Sequence, residues 1–305
     1  MGSRVNVLLA TYNGSRFLGE QLKSLDAQTL APSRVTIRDD DSSDSTLPLV
    51  REWAEGKSSV ILLSGPRLGA AKNFLTLLAH PDEGSDYFAF CDQDDVWLPN
   101  KIERAVEELR RHDADVPAMY CARVELVDKN LAHLGYSRTP KRVGFANALV
   151  ENVATGCTVL LNRTARDLIC RRLPDRMMLH DSWCYLVVSA LGEVVFDERP
   201  LIKYRQHPGN HVGAPASALE LFPKRVRRFL RPDGFLRRGL SDQAAEFERC
   251  FGELLSVRDK RTLNRFLCVR RGFKERAFYG AMMDVWRQSR VDTMILRALI
   301  LMGRV

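Results

Sequence analysis

Residues 87–102 read YFAFCDQDDVWLPNKI: five apolar or aromatic residues running directly into Asp92, Asp94 and Asp95, then Pro99 and the start of a new periodic segment. A short apolar run that ends in carboxylates reads as a strand buried on both faces, with its carboxyl end at the surface. The stretch Asn100–His112 beyond Pro99 has helical apolar spacing. The same pattern recurs upstream. Val5–Ala10 (VNVLLA) is a strand candidate, and Leu18, Leu22 and Leu25 form one helical stripe. Arg34–Arg38 (RVTIR) is a second strand that enters the acidic turn Asp39–Asp44. A helix over 46–54 follows, capped by Asp44 or Ser45 and tolerating Pro48 in its first turn. Val60–Leu63 is a third strand and 70–78 the next helix.

Strands alternating with helices over such short connections predict βαβ units, a mostly parallel sheet and an α/β fold. Ligands in such folds sit outside the carboxyl ends of the strands. Those ends here carry Thr11-Tyr12-Asn13, Asp39-Asp40-Asp41 and Asp92-Gln93-Asp94. Further on, 119–126 and 158–161 read as strands, and 164–172 and 181–190 as helices. Gly213–Ala218 (GAPASA) suggests a boundary, giving a domain over 1–213 and a basic helical extension over 214–305. Three helices are expected in that extension, near 241–256, 258–271 and 273–302.

The 305 residues are 45% apolar and 28% charged, which excludes disordered and collagen-like classes and permits a sizeable core. The seven cysteines are scattered, never as CxxC, and read as reduced, buried thiols of a cytosolic protein. The first residues lack a signal-peptide pattern, and the apolar stretch 293–302 is broken by Arg297 and too short to span a bilayer. Net charge is +8, and it is unevenly distributed: 215–305 carries 20 Lys and Arg against 10 Asp and Glu. Between Lys224 and Arg238 seven basic residues interleave with Phe229, Leu230, Phe235 and Leu236. That pattern suits either a solvated helix surface or peripheral attachment to anionic membrane.

Carboxylates crowded as in 39–44 and 92–95 repel one another unless cations or donor groups offset them. A DxD spacing lets two side chains face a hard divalent ion, Mg²⁺ or Mn²⁺, that also takes diphosphate oxygens. The same residues also suit Asx turns and helix caps.

With these motifs in order, the chain resembles the inverting glycosyltransferases of family 2 with the GT-A fold, over about residues 4–213. Among them it is most similar to bacterial rhamnosyltransferases of cell-surface polysaccharide synthesis, in which a DQDDVW segment is usual. The resemblance implies a Rossmann-like, mostly parallel central sheet flanked by helices. It also implies a nucleotide-diphosphate sugar donor (dTDP-rhamnose or a UDP-sugar), and a glycan or lipid-linked oligosaccharide acceptor. By the same resemblance Ala10, Thr11 and Tyr12 belong to the nucleotide pocket, and Asp40 reads the pyrimidine ring. Asn73 contacts the donor. Asp92 and Asp94 are the metal-binding pair, with Asp94 the direct ligand and His207 completing the metal or diphosphate site. Gly156 lets donor and acceptor approach the backbone, and Arg205 pairs with the diphosphate. Asp181, in MLHDSW at a helix start, takes the place of the catalytic base. Asp41 stands where many members have Gly, and is expected to adopt a left-handed conformation. Work on lipid-linked acceptors implies a cytoplasmic location at the inner membrane face.

Rival readings are weaker. A nucleotide-dependent oxidoreductase would need a GxGxxG turn where ATYNG stands. No nucleic-acid-binding motif accompanies the basic tail, so nucleic acid is not an expected partner. A nucleotidyltransferase would need a basic glycine-rich loop, and a non-catalytic nucleotide-binding module leaves both the DxD pair and the base candidate without a purpose.

Overall fold

The computed structural model describes residues 2–207 and 239–305. In chain order the elements begin β1 (Val5–Thr11), α1 (Ser15–Asp26), β2 (Arg34–Asp39), α2 (Thr46–Ala54), β3 (Val60–Ser64) and α3 (Ala70–Ala79). They continue with β4 (Tyr87–Cys91), β5 (Val96–Trp97), α4 (Lys101–Leu109), β6 (Ala118–Ala122), β7 (Glu125–Val127) and β8 (His133–Tyr136). Next come α5 (Phe145–Ala148), β9 (Leu160–Asn162), α6 (Arg163–Arg171), α7 (His180–Leu191), β10 (Glu193–Asp197) and β11 (Ile202–Arg205). Past residue 238 lie α8 (Gly239–Phe251), α9 (Val257–Leu267), α10 (Phe273–Ala281) and α11 (Arg290–Leu301).

The described residues fall into two compact units. One is drawn from Met1–Thr139, Ala154–Arg171 and Glu193–Ala214, the other from Pro140–Val153, Arg172–Gly192 and Pro215–Val305. The boundary expected at 213/214 lies outside the described residues. The second unit also recruits α5 and α7 from the middle of the chain.

The first unit is built on a sheet of order β10-β6-β9-β4-β1-β2-β3. The pairs β1–β2, β2–β3, β1–β4 and β10–β6 are parallel, while β9 runs antiparallel between β4 and β6. β1 is solvent-free along almost its whole length, as a central parallel strand must be, and its apolar run is continuous rather than alternating. Register aligns the carboxyl ends: Thr11 lies opposite Asp39, and Leu9 opposite Cys91, one residue before Asp92. Leu9, Ile37, Cys91 and Trp97 belong to the core on one face, with Leu18, Leu22 and Leu25 of α1 and Ile102, Ala105 and Val106 of α4.

A smaller sheet, β5-β11-β7-β8, was not read from the sequence in this form. The strand expected over 119–126 is two strands, β6 and β7, in different sheets. The chain changes sheet at Arg123 and Val124, where the Arg123 N–H donates to the Asp197 carbonyl. β5 follows Asp95 of the acidic loop directly and pairs antiparallel with β11, Trp97 opposite Ile202. That pairing carries Arg205 and His207 to the loop.

In the second unit α7 is buried at every position from His180 to Val188. Trp183 packs on Phe247 and Phe251 of α8, with ring centres 6.3 and 6.2 Å away. The single helix expected over 273–302 is two, α10 and α11. Ser289 caps the second, its Oγ accepting from the Asp292 N–H. Five of the cysteines are buried and all seven are free thiols, in line with the sequence reading.

Candidate active site

The ends of β1, β2 and β4 are stitched together by side chains. Thr11 Oγ1 donates to Asp39 Oδ2 at 2.8 Å. Asp39 also accepts from the Ser42 N–H at 2.8 Å and the Ser42 hydroxyl at 2.6 Å. Between Thr11 and the acidic loop, Gln93 pairs with the Tyr12 backbone: the Tyr12 N–H donates to Oε1 at 2.8 Å, and Nε2 donates to the Tyr12 carbonyl at 2.9 Å. This contact explains Gly14, where a Cβ would lie 2.1 Å from Gln93 Oε1. Asn13 and Asp41 take left-handed backbone (φ 46° and 70°), the conformation expected at Asp41. Asp44 accepts from the N–H groups of Ser15 and Thr46, at the starts of α1 and α2. Burial opposes its charge, but the hydrogen bonds from Ser15 and Thr46 prevail and lower its carboxyl to about 2.

Asp40 and Asn73 meet at Arg38. Asp40 accepts from Arg38 Nη1 at 2.7 Å and from the N–H groups of Leu68 and Gly69 at 2.8 and 2.7 Å. Asn73 accepts from the same Nη1 at 2.9 Å and donates to the Arg38 carbonyl at 3.2 Å. Both side chains are buried, so their visible work is to hold the 66–69 loop against the end of β2.

In the acidic loop Asp94 Oδ2 lies 2.7 Å from His207 Nε2, and both side chains are partly exposed. Phe17 stacks on the far side of the imidazole, 5.1 Å between ring centres. Arg205, in contrast, is 1% exposed. Its Nε donates to the Asp94 carbonyl at 2.8 Å, its Nη1 to the Lys129 carbonyl at 2.6 Å, and its Nη2 pairs with Glu20. The guanidinium therefore anchors the loop from behind. Asp95 is fully buried. Its Oδ1 accepts from the Arg205 N–H at 3.1 Å. Burial, with Asp94 and Asp92 beside it, pushes its carboxyl well above the usual range. Gly156 opens the buried 3₁₀ turn Gly156–Thr158, whose Cys157 thiol lies near Asp95 and Asp92. Trp97 is 2% exposed and belongs to the core.

Asp94 and His207 make a carboxylate–imidazole pair that can hold a divalent ion, while Asp92, two positions along the chain, is grouped with Asp95 and Cys157. Sequence reasoning had brought Asp94 and His207 together, and the structure does the same. It had not seen Gln93, Glu20, Arg38 or Lys129, each of which has a partner 35 to 185 residues away.

Asp181 is described within the second unit. It stands in the first turn of α7 rather than ahead of it, and is 8% exposed, with the Ser182 N–H donating to Oδ1 at 2.7 Å. Gln243 of α8 braces this helix start: Nε2 donates to Ser182 Oγ at 3.1 Å and Oε1 accepts from the Met178 N–H at 3.0 Å. Burial pushes the neighbouring His180 imidazole down to about 3, so it is neutral. His211 and the basic stretch 224–238 lie outside the described residues.

The family model described as "Glycosyl transferase family 2" matches residues 6–167. A dTDP-rhamnosyl transferase of Shigella flexneri is 32% identical over 234 residues, covering 68% of this chain and 75% of its own. Among solved structures, TarS 1–349 of S. aureus in complex with UDP-GlcNAc has a TM-score of 0.57 at 16% identity, over 99% of this chain and 87% of its own. The mannosyltransferase PcManGT of Pyrobaculum calidifontis, solved with GDP-Man and Mn²⁺, has a TM-score of 0.53 at 18% identity, over 99% and 86%. At these identities the structural likeness carries the fold.

Proposed function

The chain belongs to glycosyl transferase family 2, and from that premise we propose that it moves a sugar, rhamnose before others, from a nucleotide-diphosphate donor to a glycan or lipid-linked acceptor in cell-surface polysaccharide synthesis. It is a glycosyltransferase with the GT-A arrangement of its α/β sheet. The observation that carries the reading is the Asp94–His207 pair at 2.7 Å, held at the carboxyl edge of the sheet beside Thr11 and Asp39.

In the proposed reaction the acceptor hydroxyl attacks the anomeric carbon in line. The new C–O bond forms as the bond to the nucleotide diphosphate breaks, and the hydroxyl proton passes to the Asp181 carboxylate. The amide ends of the first turn of α7 favour the ionised form of that carboxylate. Asp94, Asp92 and His207 would hold Mg²⁺ or Mn²⁺, which when bound offsets charge on the departing diphosphate. Ala10, Thr11 and Tyr12 line the nucleotide pocket, with Asp40 and Asn73 shaping it through Arg38 and the 66–69 loop. Gly156 lets donor and acceptor approach the backbone closely. Arg205 acts on the diphosphate through the loop it anchors.

Rhamnose is favoured by the Shigella relative's name. A UDP-hexose or N-acetylhexosamine transferase of the same fold is the second reading, favoured by the UDP-GlcNAc complex of the S. aureus neighbour. We also propose peripheral attachment to the inner face of an anionic membrane. The described helices include none long and apolar enough to cross one. Exposed Val291, Met294 and Met302 share α11 and its end with Arg290 and Arg297, a mixture suited to the lipid interface.

The test is a thermal-shift panel of dTDP, UDP, GDP, ATP and NADH, each with and without Mn²⁺. Metal-dependent stabilisation by dTDP supports the rhamnosyl reading, and by UDP the second. Stabilisation by NADH alone, or by none of them, overturns both.

A further inference from the structure

Behind the Asp94–His207 pair lies a second set of donor atoms with different chemistry. One oxygen each from Asp92 and Asp95 and the sulfur of Cys157 all lie within 4.8 Å of one another. Cys157 and Asp95 are fully buried, and Asp92 is the partly exposed member at the mouth. Asp95 Oδ2 is shielded from solvent with no oxygen or nitrogen donor on it among the described residues, and the Cys157 thiol hydrogen-bonds the same carboxyl group. A buried carboxyl oxygen without a full set of donors is unfavourable, so such an atom calls for an explanation. The backbone around it is firmly held. Thr158 Oγ1 donates to the Thr155 carbonyl at 2.7 Å and accepts from the Ala122 N–H at 3.1 Å, pinning the turn that carries Cys157. On the other side, the Arg205 N–H holds Asp95 Oδ1.

We propose that Asp92, Asp95 and Cys157 form a thiolate–carboxylate site for a zinc-class divalent ion, separate from the Asp94–His207 pair but sharing Asp92 with it. One sulfur and two carboxylate oxygens make a three-ligand set that Zn²⁺, Co²⁺ or Cd²⁺ completes with water, whereas Mg²⁺ and Mn²⁺ prefer oxygen ligands over thiolate. As the sulfur–metal bond forms, the thiol proton leaves to solvent. Asp92 turned inward is withdrawn from the outer pair, and two dications on adjoining carboxylates repel. Zinc in the inner site therefore antagonises metal-dependent donor binding at the outer one. That consequence rests on the donor-site reading given under Proposed function; the inner site itself does not.

The full-length protein titrated with Co²⁺ should develop a near-ultraviolet thiolate-to-cobalt charge-transfer band. Cys157→Ser should abolish the band, while Cys184→Ser, which alters a buried thiol of the second unit, should keep it. Asp92→Asn, at a partly exposed position that tolerates the change, should weaken Co²⁺ binding about tenfold or more. Thermal melts of each variant establish that it is folded. No band at saturating Co²⁺, or a band that survives Cys157→Ser, overturns the site. In the second arm, one equivalent of Zn²⁺ should weaken Mn²⁺-dependent dTDP binding in the wild type and leave it unchanged in Cys157→Ser. Equal weakening in both overturns the antagonism. Absence of any Mn²⁺-dependent nucleotide binding refutes the transferase reading instead, and the cobalt band still decides the inner site.

Discussion

At Lys101 a side chain written by the sequence as the opening of an amphipathic helix is buried to 1% exposure, its Nζ 3.6 Å from the centre of the Trp97 ring and without a hydrogen-bond partner among the described residues. Burial pushes its amine down to about 8. The native state thus binds fewer protons than the unfolded one between about pH 8 and the ordinary lysine value of 10.5. Stability contributed by this residue rises with pH across that window, and below about 8 its charge is a standing cost. Lys101→Met, similar in length and uncharged, should raise stability by about 1–3 kcal/mol at pH 7. Urea unfolding at pH 7 and pH 10 measures this, and the gain should shrink at the higher pH. Asp181→Asn bears on the chemistry instead. It removes the proposed proton acceptor and should lower kcat about a thousandfold or more while nucleotide binding persists. Rapid-quench transfer assays, set beside nucleotide titration, separate the two effects. Residue by residue, Asp94 and His207 were legible because a DxD and a histidine carry their chemistry in their own side chains. The partners of Asp40, Asn73 and Arg205 were not legible. Asp40 and Asn73 hydrogen-bond Arg38 and backbone groups, and Arg205 hydrogen-bonds Glu20 and backbone carbonyls, at separations from 2 to 185 positions, and no local pattern records such partners.

Among the elements, the strands easiest to foresee were β1, β2 and β4, whose apolar runs end in carboxylates. The hardest were β5 and β11, only two and four residues long. Their existence depends on pairing within the small sheet, β5 with β11 and β11 with β7, a non-local cause that single-sequence periodicity does not contain. The split between α10 and α11 was in the sequence all along: Ser289 with Asp292 three positions later is a capping signal, as Ser256 with Asp259 is for α9. A long apolar run masked it. At the start of α7 the structure shows a device that the sequence gives no hint of, the Gln243 side chain bonded to both Met178 and Ser182. Gln243→Leu removes both bonds and leaves buried polar groups unanswered, which should cost about 1–3 kcal/mol of stability. With Asp181 in that same first turn, kcat should fall while the KM for donor changes little. Calorimetry and steady-state kinetics on the purified variant check the two halves, and an unaltered kcat in a destabilised protein would confine Gln243 to a structural role.

Across the whole molecule, charge and packing are distributed differently. The basic excess lies in residues 215–305, but those residues are not an independent appendage, because α8 supplies Phe247 and Phe251 to the aromatic cluster around Trp183 of α7. A helix segment apolar on every side must be covered, and WCYLVV at 183–188 is such a stretch; that sign of a partner for α7 was available in the sequence. Deleting the C-terminal segment should therefore unfold the part that carries Asp181, and cannot test membrane attachment cleanly. Charge reversal can. Each basic side chain at an anionic surface contributes about 1 kcal/mol, so Arg227, Arg228, Arg237 and Arg238 together contribute several, and glutamate at all four adds repulsion. The quadruple Arg→Glu variant should stay in the supernatant when sedimented with phosphatidylglycerol vesicles, where the wild type pellets, and wild-type binding should weaken as salt shortens the range of the attraction. Transfer to a soluble acceptor analogue should change little, since these four residues take no part in the proposed donor site. Pelleting of the variant to the wild-type extent would move the membrane contact off the 224–238 stretch. The exposed Val291, Met294 and Met302 of α11 and its end would then be the next apolar side chains to replace.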